Sequence, residues 1–252
     1  MLVCCLSVLI FVVLFSLVGL GSATAVVPLL VFFGYPPATA IAYALLVNVI
    51  SSIVINFHLV IEGSHDIRRG LCIVLPAFVF SLPGGFVSGL LPGKVLLGAF
   101  AAFLFYSSFS ILGILKKPSG KNNGFYHKDI SPGKRCLYEV FLGAGVGFLA
   151  GLLGIGGGSI LLPVLVNMGL EPVEVIPVVS MSVLLSSLGG FLSHLAFGGI
   201  KLTEALLFAL IASAGAYIGN RLRKKLGSDS LKKVLAFVLL GLAIKVLFKI
   251  FH

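Results

Sequence analysis

Charge is what this chain has least of. Only 10% of its 252 residues are Asp, Glu, Lys or Arg, and 8 of those are acidic, whereas soluble domains carry about 25% charge. No Lys or Arg precedes Arg68. The apolar run that ends at Ser22-Ala23-Thr24-Ala25 therefore lacks the basic start of a secretion signal, and it reads as mature structure from Met1 onwards. The four cysteines, Cys4, Cys5, Cys72 and Cys136, form no CxxC pair and no ligand spacing with histidine, which argues against metal or disulfide roles. Carboxylates are missing from mid-span: Glu62, Asp66, Glu139, Glu171, Glu174 and Glu204 all flank apolar segments, so no acidic proton carrier is on offer. Lys94, Lys201, Lys245 and Lys249 likewise sit towards segment ends. An anion crossing this chain would have to be held by backbone and hydroxyl groups, without a cofactor.

What fills the space is apolar. The composition is 59% hydrophobic and the mean hydropathy is +1.18, well beyond soluble usage, which makes this an all-α polytopic membrane protein. The net charge of +10 would suggest nucleic acid in a soluble protein, but here the basic residues cluster between apolar segments, where they orient the chain. Apolar segments run approximately Leu2 to Val18, Ala25 to Phe33, Ala38 to Ile61, Leu71 to Leu90, Val95 to Leu115, Leu137 to Leu153, Ile160 to Met168, Val173 to Ala196, Leu202 to Gly219 and Leu231 to Ile250. Two of them, Ala25 to Phe33 and Ile160 to Met168, are too short to cross a bilayer, which takes about 20 residues. A polar, basic linker over 116–136 separates a first half, 1–115, from a second, 137–252, in one membrane domain.

The halves repeat. A shift of 135 residues matches Gly19 to Gly154, Gly21 to Gly156, Pro28 to Pro163, Gly34 to Gly169, Pro37 to Pro172 and Ser51-Ser52 to Ser186-Ser187. Three clusters hold most of the basic charge: Arg68 and Arg69; Lys116, Lys117, Lys121, Lys128, Lys134 and Arg135; Arg221, Arg223, Lys224, Lys225, Lys232 and Lys233. All three fall on one side, the cytoplasmic one by the positive-inside rule, if each half opens with a re-entrant hairpin followed by three crossings. That parity puts both termini outside, in the inner membrane, and makes the halves inverted repeats, as in transporters with a midplane site.

The hairpin tips are Gly19 to Thr24 and Gly154 to Ser159. Leu137 to Leu153 would be about 25 Å long and its return arm about 15 Å, so neither arm needs to cross fully. Irregular backbone at that depth must line a cavity or be buried in protein. The return arms then start near the midplane with N–H groups and positive dipole ends turned to the tips, each equivalent to roughly half a charge. Gly21, Ser22, Ala23 and Thr24 in one tip, and Gly156, Gly157, Gly158 and Ser159 in the other, are the expected anion cradle. Asn48, Ser51 and Ser52, with Ser182, Ser186 and Ser187, supply candidate donors from the following helices, although single small polar residues also glue membrane helices together. Gly143, Gly147 and Gly151 read as a packing face. His58 and His194 are candidates for gating or proton coupling, with interfacial hydrogen bonding the plainer role.

These residues resemble the TauE/SafE family of sulfite and organosulfonate exporters. The match is Ala150-Gly151-Leu152-Leu153-Gly154-Ile155-Gly156-Gly157-Gly158 continuing to Pro163, with the degenerate copy Gly19-Leu20-Gly21-Ser22 continuing to Pro28. In that copy Ser22-Ala23-Thr24 replaces the glycine triplet, so hydroxyls stand where the other tip has bare backbone. The resemblance implies transport of a sulfur oxyanion or organosulfur anion across the lipid bilayer of the cytoplasmic membrane; the cysteine spacing and the placement of the basic clusters, for their part, offer no site for a metal or nucleic acid. Competing expectations are a permease for another small anion or metabolite, a non-catalytic subunit of a larger transport complex, and an intramembrane serine protease using Ser159 and His194. Rhomboid-type motifs place glycine after the serine, and here Ile160 follows.

Overall fold

A computed structural model describes residues 2–18, 21–61, 70–112, 132–168, 170, 172–197, 199–223 and 228–251. Gly19, the Arg68–Arg69 pair and the linker lysines 116–128 lie outside these residues. Among the described residues, ten helices follow in chain order: α1 Leu2–Val18, α2 Ala23–Phe32, α3 Pro37–Ile61, α4 Leu71–Leu90, α5 Gly93–Leu112, α6 Pro132–Leu153, α7 Gly158–Asn167, α8 Pro172–Leu195, α9 Leu202–Arg223 and α10 Ser228–Phe251. Among the described residues there is no strand, and six helices, α3, α4, α5, α6, α8 and α9, are long and apolar enough to span a bilayer. As the hydropathy profile requires, α2 and α7 have only 10 residues each, about 15 Å of helix. One arm departs from expectation. At 22 residues, α6 is about 33 Å long, because Pro132 to Cys136, which look like linker by polarity, form its first turn.

Glycine fixes the tightest packing. A Cβ added at Gly143, Gly147 or Gly151 of α6 would strike the carbonyl oxygen of Ile73, Ala77 or Ser81 of α4. The two backbones therefore touch, and the matched numbering shows that the helices run parallel. Gly215 and Gly219 of α9 repeat the device against Val12 and Ser16 of α1. Each half thus lends a helix to the other: α4 also packs on α8, and α9 on α3. At the centre α3 and α8 cross antiparallel, with Asn48 paired to Ser187 and Asn56 to Ser180. These contacts put the start of α6, with Lys134 and Arg135, at the same end of the bundle as the end of α9, with Arg221 and Arg223. This is the basic end.

The cysteine expectation is corrected here. Cys72 and Cys136 form a disulfide across a Cα separation of 5.6 Å, whereas Cys4 and Cys5 are free. The pair is 64 residues apart in sequence, so no spacing rule could find it. The parallel α4–α6 glycine contact brings the first turns of the two helices together and leaves their cysteines side by side.

Candidate functional site

Both short helices begin where α3 and α8 cross. Asn48 is near the middle of α3 and Val183 near the middle of α8, which sets the crossing at mid-height. The turn into α2 passes through Gly21 at φ 84°, and the turn into α7 through Gly154, Gly156 and Gly157 at φ 71°, 71° and 72°. L side chains rarely adopt such angles, so Gly156 and Gly157 are fixed by backbone conformation and not by one packing face. A Cβ at Gly156 would strike the Asn48 amide nitrogen, and one at Gly21 would lie 3.3 Å from the same atom. The two tips therefore meet on one side chain.

Asn48 is fully buried, and its bonds fix its orientation. Its Oδ1 accepts from the Ala23 N–H at 2.9 Å and from the Ser22 hydroxyl at 3.2 Å, while its Nδ2 donates to the Ser187 hydroxyl at 3.3 Å. The backbone N–H of Ala23 can only donate, so the amide cannot be flipped. Hence Asn48 acts mainly as an acceptor that caps the start of α2, and one N–H expected to face an anion is already used. Ser51 lies 3.4 Å from Ser22, and Ser186 donates to the Gly156 carbonyl at 3.3 Å, so these two serines tie their tips to α3 and α8.

Two expected donors are free of such duties. The hydroxyls of Thr24 and Ser159 are buried and meet no partner in the protein. They occupy the second position of α2 and of α7, and they are 135 residues apart, the same site in each half. Ser182 is likewise a buried hydroxyl without a partner, as are Ser88, Ser107 and Ser180. Ala23 and Gly158 supply backbone only, and the Gly158 N–H bonds back to the Gly156 carbonyl at 2.9 Å.

A cavity of about 20 Å³ adjoins the α2 tip, lined among others by Ser16, Ser22, Ser51, Ser52, Ser180 and Val183. It continues past Ile55 and Ile176, that is, towards the basic end, where α3 finishes and α8 begins. That volume holds about one water, so the conformation is a closed one for anything larger. Ser16 and Ser180 were not anticipated. For Ser180 there was a signal, because Asn48, Ser52 and Asn56 recur every fourth residue and mark a polar face that needs a partner on α8.

The histidines stand apart from this site. His58 is ten residues beyond Asn48, about 15 Å along α3, with its ring 5.9 Å from that of Tyr217. His194 is buried near the end of α8, its Nδ1 2.8 Å from the Gly190 carbonyl. Ser159 has no partner at all, so Ser159 and His194 do not form a nucleophile–base pair. Among the described residues no cluster of His, Cys, Asp or Glu could hold a metal.

Residues 4–246 match the family profile described as sulfite exporter TauE/SafE. The chain is similar to the probable membrane transporter protein YunE of Bacillus subtilis (strain 168), with 27% identity covering 93% of this chain and 92% of the relative. It is similar to the probable membrane transporter protein MJ0441 of Methanocaldococcus jannaschii, with 28% identity covering 90% and 88%. Over 39% of its length it is 33% identical to the probable membrane transporter protein ORF9 of Sinorhizobium sp. No solved structure matches.

Proposed function

Because the chain belongs to the sulfite exporter TauE/SafE family, and is thereby a membrane transporter, we propose that it carries small sulfur-containing anions such as sulfite or a sulfonate. The anion binds between the two tips at the α3–α8 crossing, and the site is exposed alternately to the two sides of the inner membrane. One observation carries this reading. Thr24 and Ser159 place buried, unpartnered hydroxyls at the same position in the first turn of both short helices. A buried hydroxyl without a partner is costly, and two of them beside two helix N-termini suit an oxyanion. Two half-charges offset about one negative charge, which favours a monoanion.

Further support comes from helix direction. The antiparallel crossing of α3 and α8, with α4 and α9 exchanged between halves, is what two inverted repeats would produce, and such repeats rock about a midplane site. The basic end is then cytoplasmic, and the cavity leans towards the cytoplasm. His58 and His194, near opposite ends, are placed for gating and not for contact with the anion. The deciding experiment is liposome flux and binding with sulfite, sulfonates, thiosulfate, carboxylates and chloride. Movement of sulfur oxyanions or sulfonates ahead of the others is expected, and a protein that moved only cations or neutral solutes would refute the proposal.

A further inference from the structure

The end of the bundle opposite the basic one is closed by a group of side chains that the anion site does not use. Tyr43 of α3 and Phe208 of α9 are both fully buried, with ring centroids 5.2 Å apart. Tyr35, in the turn between α2 and α3, adds its ring at 5.8 Å from Tyr43 and 6.5 Å from Phe208. One polar contact bridges the two helices at this cluster. The Lys201 backbone N–H donates to the Tyr43 hydroxyl at 2.9 Å. The Glu204 carboxylate, one turn before Phe208, lies 3.5 Å from the Lys201 ammonium and steadies the start of α9.

The corresponding place in the other half is built differently. Tyr43 shifted by 135 residues is Val178, and Val178 meets Gly70, ahead of α4, as Tyr43 meets Phe208, on α9. Two tilted rings in contact at one end are thus matched by a valine on a glycine at the other. Dispersion and buried area grow with ring size, so the aromatic contact is the harder of the two to part. The cavity beside the α2 tip extends towards the valine–glycine end, consistent with that order of strength.

We propose that Tyr35, Tyr43 and Phe208, latched by the Lys201 backbone N–H, form the outer gate of the transporter. Opening it means sliding α9 away from α3, which separates Tyr43 from both Phe208 and Lys201 in one movement. Val178 and Gly70 form the weaker inner gate, so the resting protein opens more readily towards the basic end. This rests on the alternating-access reading above, but its test reads accessibility and needs no substrate.

The probe is Val183→Cys, in the cavity lining, on a background with Cys4 and Cys5 replaced by serine and the disulfide kept. A membrane-impermeant maleimide is applied to right-side-out and inside-out vesicles. With the gate intact, labelling is expected from the basic face only. Phe208→Ala should raise labelling from the opposite face at least tenfold, and Tyr43→Phe, which removes only the bond from Lys201, should raise it by a smaller factor. Val178→Ala at the inner gate should leave opposite-face labelling unchanged. Gel filtration confirms that each variant is folded, and Tyr43→Phe is mild enough to serve if Phe208→Ala is not. Opposite-face labelling of the intact gate, or unchanged labelling in the folded gate variants, overturns the assignment. Failure of the sulfur-anion reading would leave these labelling patterns untouched.

Discussion

Thr24→Val and Ser159→Ala separate a binding role from a structural one. Each substitution removes a hydroxyl and little else. Because neither hydroxyl has a partner in the protein, its removal breaks no internal bond, and relief of an unsatisfied buried group should leave stability unchanged or improve it by up to ~1 kcal/mol. If the hydroxyl donates to a bound anion, its loss costs about 1.5–3 kcal/mol, the range for hydrogen bonds to charged groups. At about 1.4 kcal/mol per factor of ten, each variant should bind sulfite or the preferred sulfonate roughly 10- to 150-fold more weakly. The measurements are thermal unfolding of the purified protein and titration calorimetry in the same detergent or nanodisc. If both groups grip one anion, the double variant should lose more than either single one, and a double-mutant cycle reads their coupling. The reasoning fails if the melting temperature drops by several degrees while affinity stays unchanged, because the hydroxyls would then be serving the fold.

Asn48→Asp keeps an acceptor for Ala23 but adds a charge. At about 5 Å and an effective dielectric of about 20, the repulsion of a monoanion is ~3 kcal/mol, so binding should fall by about two orders of magnitude with secondary structure intact, as titration and circular dichroism would report. Gly157→Leu forces a side chain into φ 72° with its Cβ 2.8 Å from Val146; the protein should still insert, as membrane fractionation shows, but binding should be abolished, and unchanged binding would return the triplet to packing alone. In protein purified without reductant, since the pair sits at the end proposed as cytoplasmic and thiols there are kept reduced, Cys72→Ser should lower the melting temperature and shift non-reducing gel mobility, with chain entropy for a 64-residue separation setting an upper limit of ~4 kcal/mol. Retained stability would mean that the α4–α6 glycine contact suffices.

Segment existence was legible because a bilayer leaves so few options: apolar runs bounded by Gly, Pro and charge had to be helices, and α1 and α4 carry the expected limits to the residue. The start of α6 was misjudged, because Lys134 and Arg135 look like linker when only polarity is read. Counting crossings against basic clusters gives an expectation for helix direction, not the contacts between helices. The exchange of α4 and α9 between halves did not follow from it, since contacts between distant segments leave no trace in hydropathy. The disulfide was hidden for the same reason.

In the candidate site, residue types were legible but their duties were not. Matching halves suggests two equal tips, yet the 135-residue partner of Asn48 is Val183, so one amide stands at the crossing where symmetry would supply two. That amide caps α2 from its oxygen side and touches Gly156 from its nitrogen side. On the proposed reading, α2 therefore gives up part of its N-terminal capacity to stay fixed on α3, while α7, entered through bare glycine, keeps more of its own. The anion would then be held asymmetrically, closer to the Gly156–Ser159 tip. It follows that Ser159→Ala should cost more affinity than Thr24→Val. Equal losses would mean that Asn48 serves both tips alike, and the larger loss at Thr24 would place the anion on the α2 side.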